Sequence, residues 1–165
     1  MRGGHILAGA AAAAAAFLLG TGTTSVRPAP EQPLAYSHKV HVGDLDMECQ
    51  YCHTYARRGP VAGLPTVKRC MGCHELVRTE SPEIEKLAGY LEREEPIVWN
   101  RVYDLRDHTR FYHDRHVNAG VECTTCHGPV STMEQMRQYP DLTMGWCIEC
   151  HQQREAPLDC LVCHH

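Results

Sequence analysis

The apolar residues of this chain are unevenly distributed, and two stretches show patterns that predict regular elements. The first is a nearly unbroken apolar run, Ile6–Leu19, which follows Arg2. A positive residue before such a run is typical of an export signal. The run approaches the roughly 20 residues of a membrane span if Gly20–Val26 join it. We expect residues 1–27 to be a retained signal-anchor with the rest of the chain translocated; the alternative is a cleaved signal peptide.

The second patterned stretch predicts an amphipathic helix, Ser81–Glu95. Ser81, Pro82 and an acidic residue after them are typical of a helix start. Apolar residues then recur at helical spacing, at Ile84, Leu87, Ala88 and Leu91. Pro96 ends the pattern. The helix either packs on its own domain or, together with the segment around Trp99, provides a docking surface for another subunit.

Elsewhere the chain lacks the large apolar residues that build a protein core. It has 165 residues with two Phe, two Trp, ten Cys, twelve His and a net charge of −4. A core made of protein alone would be thin, so disulfides, metals or a covalent cofactor must contribute. The modest charge gives no indication of nucleic-acid binding. We expect a Pro-rich linker at residues 28–35 and one domain at residues 36–165.

All ten cysteines belong to five Cys-x-x-Cys-His motifs, which we number 1 to 5 in chain order. Their cysteines are Cys49 and Cys52, Cys70 and Cys73, Cys123 and Cys126, Cys147 and Cys150, and Cys160 and Cys163. This motif is the attachment signature of c-type haem, because two thiols at this spacing reach the vinyl groups of one porphyrin. Zinc knuckles, a thioredoxin-like motif or a disulfide framework would not require a histidine after every pair. The sequence therefore predicts five covalently bound haem c groups.

The histidine of each motif is the expected proximal iron ligand. These residues are His53, His74, His127, His151 and His164. Two His-x-x-His segments precede motifs 1 and 3, and they predict four distal ligands, His38, His41, His113 and His116. Residues three apart project from one side of a helical turn, so each segment can ligate two adjacent haems.

The fifth distal ligand is open at this point. The candidates are Met133, Met144, Met136, His108 and His165. We favour a methionine, Met133 or Met144, because both lie close to motifs 3 and 4 and the remaining histidines are poorly spaced. Ligation by His and Met would raise the potential of one haem above those of the others.

With five haems on so short a chain, the haems themselves form the core. We therefore expect a mostly irregular fold with small α-helices, a multihaem cytochrome c wrapped around five haems behind an N-terminal transmembrane helix. The short helices should begin at or near each cysteine motif.

Several motifs together resemble the pentahaem cytochrome c subunit of alternative complex III. They are SHKVH, CQYCH, CMGCH, PIVW, FYHDRHV, CTTCHGPV and LTMGWC, and they lie within residues 36–151. The haem-binding part is also similar to class III multihaem cytochromes, in which His-x-x-His ligates two haems. The order of CHGPV and LTMGWC is the more specific part of this resemblance.

The resemblance implies a bacterial respiratory complex in the inner membrane that oxidises quinol. In it, this subunit would lie on the periplasmic side. Independently of the resemblance, we expect no catalytic residues, because the ligand donors suffice to close every iron. It would relay electrons from an iron–sulfur, molybdopterin-type subunit to a periplasmic acceptor or a terminal oxidase, alongside integral membrane subunits. The alternatives are a membrane-anchored quinol dehydrogenase that feeds periplasmic reductases, and a multihaem reductase with one open haem.

Overall fold

Short helices joined by long irregular segments make up residues 28–164, which the computed structural model describes. Within this range there is no β-strand, and the α-helices are α1 (Cys49–Cys52), α2 (Val67–His74), α3 (Pro82–Glu92), α4 (His113–Asn118), α5 (Cys123–His127), α6 (Met144–Gln153) and α7 (Cys160–Cys163). A π-helical turn covers Lys39–Asp44 and a 3-10 turn covers Val130–Thr132. The small, mostly helical and irregular architecture agrees with the expected fold class.

Two sequence predictions concern residues that the structure does not describe. The signal-anchor at residues 1–27 and the candidate ligand His165 both lie outside the range 28–164. Within that range, none of the helices combines the length and apolar character that crossing a membrane requires.

Each cysteine motif occupies a helical turn. Helices α1, α5 and α7 begin at the first cysteine of their motif, whereas α2 and α6 begin three residues earlier. The two longer helices have a threonine N-cap: Thr66 accepts a hydrogen bond from the amide of Arg69, and Thr143 accepts one from that of Trp146. These bonds satisfy amides that the first turn leaves free. The helical turn places both thiols of a motif on one side.

Helix α3 forms where the apolar pattern predicts it, and it packs against α2. Leu87, which is 4% exposed, joins Leu34 and Met71 in the buried cluster, and Ile97 and Trp99 pack against the same cluster. The apolar face of α3 and the Trp99 segment are therefore used within the chain. This packing favours the first of the two interpretations of the helix, because the side proposed for docking is covered.

Helix α3 ends at Glu92, before the predicted end at Glu95. Glu94 has a φ of 54°, so the backbone leaves the helical region before Pro96 is reached. The ring of a proline disfavours helical geometry in the residue before it. A helix that meets a proline therefore ends earlier than the proline itself, which explains the difference.

Candidate functional site

Histidine rings from distant parts of the chain face one another in pairs. The ring centroids are 6.0 Å apart for His41 and His74, 6.3 Å for His113 and His127, 6.0 Å for His116 and His151, and 5.4 Å for His108 and His164. Two imidazoles that bind one metal through bonds of about 2 Å have centroids roughly 6 Å apart. Each pair therefore fits the two axial positions of a six-coordinate iron, and each contains one motif histidine.

His38 lies close to His53, the one motif histidine that the four facing pairs do not include. Burial, followed by the nearby His53 and His41, lowers the pKa of His38 to about 4. Burial and its neighbours His113, His53 and His38 likewise lower the pKa of His127 to about 4. Both rings are therefore neutral at physiological pH, which is the form that binds a metal. The structure thus brings all four histidines of the His-x-x-His segments to motif histidines.

Backbone carbonyls hold the second ring nitrogen of seven of these ten histidines. Each of these Nδ1 atoms forms a hydrogen bond with one backbone carbonyl oxygen: His41 with Ser37 at 2.8 Å, His53 with Gly63 at 2.6 Å, His74 with Val77 at 3.0 Å, His113 with Pro60 at 2.9 Å, His116 with Tyr112 at 2.8 Å, His151 with Pro157 at 2.7 Å and His164 with His108 at 3.0 Å. A carbonyl only accepts hydrogen bonds, so Nδ1 must carry the proton. The lone pair is then on Nε2, where a metal binds, and the ring cannot rotate freely.

The geometry at motif 5 favours a histidine over a methionine as the fifth distal ligand. The His108 ring faces His164, and the amide of Arg110 donates to the carbonyl of Cys163 at 2.7 Å, which holds the two segments together. Met133 is 3% exposed, and its carbonyl accepts the amide of Lys39 at 2.9 Å. Met144 is 64% exposed at the start of α6. We therefore prefer His108 to the two methionines that the sequence favoured.

The sequence pattern around His108 does not indicate a ligand, because its partner His164 lies 56 residues further along the chain. His108 belongs to no His-x-x-His segment. It also lies further before motif 3 in the sequence than either His-x-x-His segment lies before its motif. The one available signal was arithmetic. Ten axial positions need ten histidines, and within residues 28–164 there are ten.

The ten cysteines are free of disulfides, and the thiols of particular motifs lie close together. The neighbours are Cys52 and Cys70 for motifs 1 and 2, Cys49 and Cys123 for motifs 1 and 3, Cys126 with Cys147 and Cys150 for motifs 3 and 4, and Cys147 and Cys163 for motifs 4 and 5. Burial is the main reason that the pKa of Cys49, Cys70, Cys126 and Cys147 is raised, and the neighbouring thiol raises it further. The motifs therefore form a row in the order 2, 1, 3, 4, 5.

Both ends of this row reach the surface. Cys73 of motif 2 and Cys160 of motif 5 are exposed, whereas the other eight cysteines are half-buried. The side chains of Leu161 and Val162, between the cysteines of motif 5, are also exposed. The row thus has a half-buried middle and two exposed ends.

The two His-x-x-His segments repeat one local structure. Tyr36 stands edge-on to His38 at 4.9 Å and stacks on His41 at 4.5 Å. Phe111 stands edge-on to His113 at 4.9 Å and stacks on His116 at 4.3 Å. The interplanar angles are the same in both copies, 89° and 25°. The chain therefore contains two equivalent units, 36–74 and 111–151, and motif 5 with His108 is an addition.

Attachment motifs whose histidines face a second histidine, on a fold with little apolar core, define a multihaem cytochrome c. Two comparisons agree with this class. Residues 109–165 match the family of cytochrome c7 and related cytochromes c. The chain is also 32% identical over 162 residues to the menaquinone reductase, multihaem cytochrome c subunit, of Nitratidesulfovibrio vulgaris, an alignment that covers 81% of this chain and 77% of that relative. The chain belongs to the multihaem cytochrome c family, whose members bind haem c covalently through such motifs.

Proposed function

We propose that the chain binds five haem c groups and relays electrons as a subunit of a membrane-bound quinone oxidoreductase. The observation that carries this proposal is the coincidence of five attachment motifs, five close histidine pairs, four of them with facing rings, and one continuous row of motifs. When bound, the haems supply reversible one-electron centres. The chain's own residues fix where these centres lie and how close each is to the next.

The cysteines of each motif would hold one haem by thioether bonds, and the motif histidine would bind the iron from one side. The second axial ligands in this proposal are His38, His41, His113, His116 and His108 for motifs 1, 2, 3, 4 and 5. Backbone carbonyls keep most of these rings in the tautomer that presents Nε2. With histidine at both axial positions of all five sites, there is no separate His/Met centre of raised potential.

This arrangement argues against catalysis by the subunit itself. A multihaem reductase needs one iron with a vacant axial position for its substrate, and every motif histidine here lies close to a second histidine. The row instead supports transfer from one exposed end to the other. We therefore propose an electron-transfer subunit without catalytic residues.

The partners and location in this proposal come from similarity. We place the haem domain on the periplasmic side of a bacterial inner membrane, anchored by residues 1–27 and joined to iron–sulfur and integral membrane subunits. The resemblance to alternative complex III supports electron flow from quinol towards a periplasmic acceptor or terminal oxidase. The name of the Nitratidesulfovibrio relative supports a second candidate, in which electrons flow in the opposite direction and reduce menaquinone.

Purification of the native complex tests the proposal. Mass spectrometry of the denatured subunit should show five haem additions, and the subunit should copurify with a quinone-reactive membrane partner. Addition of a quinol to the oxidised complex and of a quinone to the prereduced complex then separates the two directions. Four or fewer haems at full maturation, or rapid carbon monoxide binding by the native protein, would contradict the proposal.

A further inference from the structure

Residues 28–35, which we call the strap, are bonded to the domain that follows them. Gln32 and Asn100 form a reciprocal pair. The side-chain amide of Gln32 donates to the Asn100 carbonyl at 2.9 Å, and the side-chain oxygen of Gln32 accepts the Asn100 backbone amide at 2.9 Å. The side chain of Asn100 also donates to the carbonyl of Glu31 at 2.6 Å. Three hydrogen bonds thus join the middle of the strap to a segment far away in the chain.

Further contacts hold both ends of the strap. Near its start, the side-chain amide of Gln135 donates to the carbonyl of Pro30 at 2.9 Å. At its end, the Glu83 carboxylate accepts the amide of Ala35 at 2.8 Å, and Leu34 is buried in the apolar cluster of α2 and α3. Proline rings fix φ and stiffen the backbone between these contacts. The strap is therefore a fixed part of the domain and differs from a flexible linker.

The strap begins on the face of the domain that carries the segment after motif 3. Pro28 and Ala29 line one cavity together with residues 132–135 and Arg137. We call these residues the exit face. Pro28, Thr132 and Arg137 are exposed there, and the exposed side chains of this face are mainly polar. Such side chains suit contact with lipid headgroups, whereas burial in hydrocarbon would leave their polar groups unpaired.

Hydrogen bonds place the exit face beside motifs 1 and 3, inside the row. The Tyr103 hydroxyl lies 3.4 Å from the Cys126 carbonyl of motif 3 and 3.4 Å from the Arg137 carbonyl. The Met133 carbonyl accepts the amide of Lys39 at 2.9 Å, and Lys39 follows the distal ligand proposed for motif 1. None of the residues that line the exit face belongs to motif 2 or motif 5.

We propose that the strap holds the exit face against the membrane surface, so that motifs 1 and 3 are the part of the row nearest the membrane. This inference rests on the proposed function, because it requires residues 1–27 to lie in the membrane. The chain would then enter the strap directly from the membrane segment, and the exit face would lie at that boundary. A free linker of the same length would reach about 28 Å and would let any face of the domain approach the lipid.

Thiol labelling of the full haem-loaded chain tests this position. The native cysteines would be bound as thioethers, so one introduced cysteine is the reactive thiol. Thr132→Cys reports on the exit face. Leu76→Cys and Leu161→Cys report on the two ends of the row, where the native side chains are 89% and 71% exposed. Each variant is reconstituted into vesicles of phosphatidylcholine and phosphatidylglycerol and treated with a polyethylene glycol maleimide, and mass spectrometry follows the labelling.

We expect Thr132→Cys to react several-fold more slowly in vesicles than in detergent, because the lipid surface blocks the bulky reagent. The cysteines at positions 76 and 161 should react at similar rates in both, and their extent of labelling in vesicles gives the fraction of domains that face outwards. Equal rates for Thr132→Cys in vesicles and detergent would overturn the inference. Equal protection of all three positions would also overturn it, since the exit face would then have no special place.

Two further changes, made in the Thr132→Cys chain, test whether the strap causes the protection. A Gly/Ser insertion of about six residues before Pro28 adds a reach of about 20 Å and leaves the strap bonds intact. Gln32→Ala combined with Gln135→Ala removes three of the bonds that hold the strap. Both should raise the labelling rate in vesicles towards that in detergent, whereas Gln152→Ala, at an exposed glutamine in α6, should leave it unchanged. Protection that survives both changes would overturn the role of the strap.

Haem count and vesicle binding separate failure of this inference from failure of the proposed function. Every variant should keep five haems by mass spectrometry and low-spin spectra, because none of the changed residues is a proposed haem ligand. A full chain that binds the vesicles but leaves Thr132→Cys open to the reagent would overturn this inference alone. A full chain that does not bind the vesicles would count against the membrane location in the proposed function and would overturn the inference with it.

Discussion

At the scale of single residues, the backbone of the irregular segments orients most of the paired imidazoles. The loop between motifs 1 and 2 shows this most clearly. Its Gly63 carbonyl accepts the Nδ1 proton of His53 at 2.6 Å, and its Pro60 carbonyl accepts that of His113 at 2.9 Å. One loop therefore serves two sites that belong to different units. Proline and glycine keep this backbone out of helices and strands, where its carbonyls would already be paired.

The first prediction concerns the fifth distal ligand. Replacement His108→Ala should open one axial position, and one of the five haems should change from low spin to high spin in electron paramagnetic resonance. Met144→Ala is the matched control, because that side chain is 64% exposed and should leave all haems low-spin. If the methionine change produces the high-spin haem and the histidine change does not, the sequence-based preference is right and the geometric one is wrong.

A second prediction concerns the glycine that follows motif 3. Gly128 has φ 68° and ψ −156°, a region that is almost confined to glycine, and a Cβ there would overlap the Tyr139 ring. Gly120 has a similar φ of 75° but open space around it. We expect Gly128→Ala to cost about 3 kcal/mol or more of unfolding free energy, and Gly120→Ala only about 1 kcal/mol.

Chemical denaturation of the haem-loaded variants measures this difference. Equal losses for the two alanines would show that Tyr139 moves aside at little cost. In that case the close contact between Gly128 and the Tyr139 ring would not be the reason for a glycine at this position.

At the scale of elements, α3 stabilises one end of the row through its contact with α2. Helix α2 carries Cys70, Cys73 and His74, and its Met71 packs with Leu87 of α3 in the small apolar cluster. The haem-free stretch between motifs 2 and 3 therefore covers the inner side of motif 2, while Cys73 stays exposed. A helix without a motif of its own thus supports the site at the exposed end.

The third prediction follows from this packing. Leu87 is 4% exposed, so Leu87→Ala should lower the free energy of unfolding by about 2–4 kcal/mol through lost burial and a residual cavity. Leu76→Ala removes a side chain that is 89% exposed and should change it by less than about 0.5 kcal/mol. Thermal or denaturant unfolding of the haem-loaded protein measures both. A negligible effect of Leu87→Ala would show that the haems, and not this cluster, hold α3 in place.

The elements also show what the sequence could predict. Helix α3 was predictable because an N-terminal proline, an acidic first turn and four apolar residues at helical spacing all agree. The π-helical turn at Lys39–Asp44 has no such signature, because His38 and His41 are placed by what they face and not by an apolar stripe. The row order was equally hidden. Spacing shows which residues belong to one motif, but the neighbours of a motif depend on contacts such as Cys49 with Cys123, between residues far apart in the chain.

At the scale of the whole molecule, the spatial order of the motifs differs from their order in the chain. The sequence order would put motif 1 at one end, next to the linker, whereas the thiol contacts put motif 2 there and motif 1 inside, against motif 3. Each His-x-x-His segment joins two members of one unit, and the contact between Cys49 and Cys123 joins the units. The row is therefore two duplicated pairs placed with their first members together, with motif 5 added beyond motif 4.

The last prediction distinguishes this order from the order in the chain. Serine at Cys49 and Cys52 removes the haem at motif 1, and serine at Cys70 and Cys73 removes the haem at motif 2.

Electron tunnelling slows steeply with distance, so removal of an inner centre should isolate whatever lies beyond it. In the spatial order, loss of motif 1 cuts motif 2 off from the other three, whereas loss of motif 2 leaves a continuous row of four. Electrons must enter only at the motif 5 end for this test, from a photoreductant tethered beside the exposed Leu161, because the motif 2 end is itself exposed. Reduction should then show a slow phase, equal to one of the four remaining haems, in the first variant and none in the second. Both variants must first show four low-spin haems by mass and spectrum. A slow phase in the motif 2 variant alone would support the chain order and contradict the row 2, 1, 3, 4, 5.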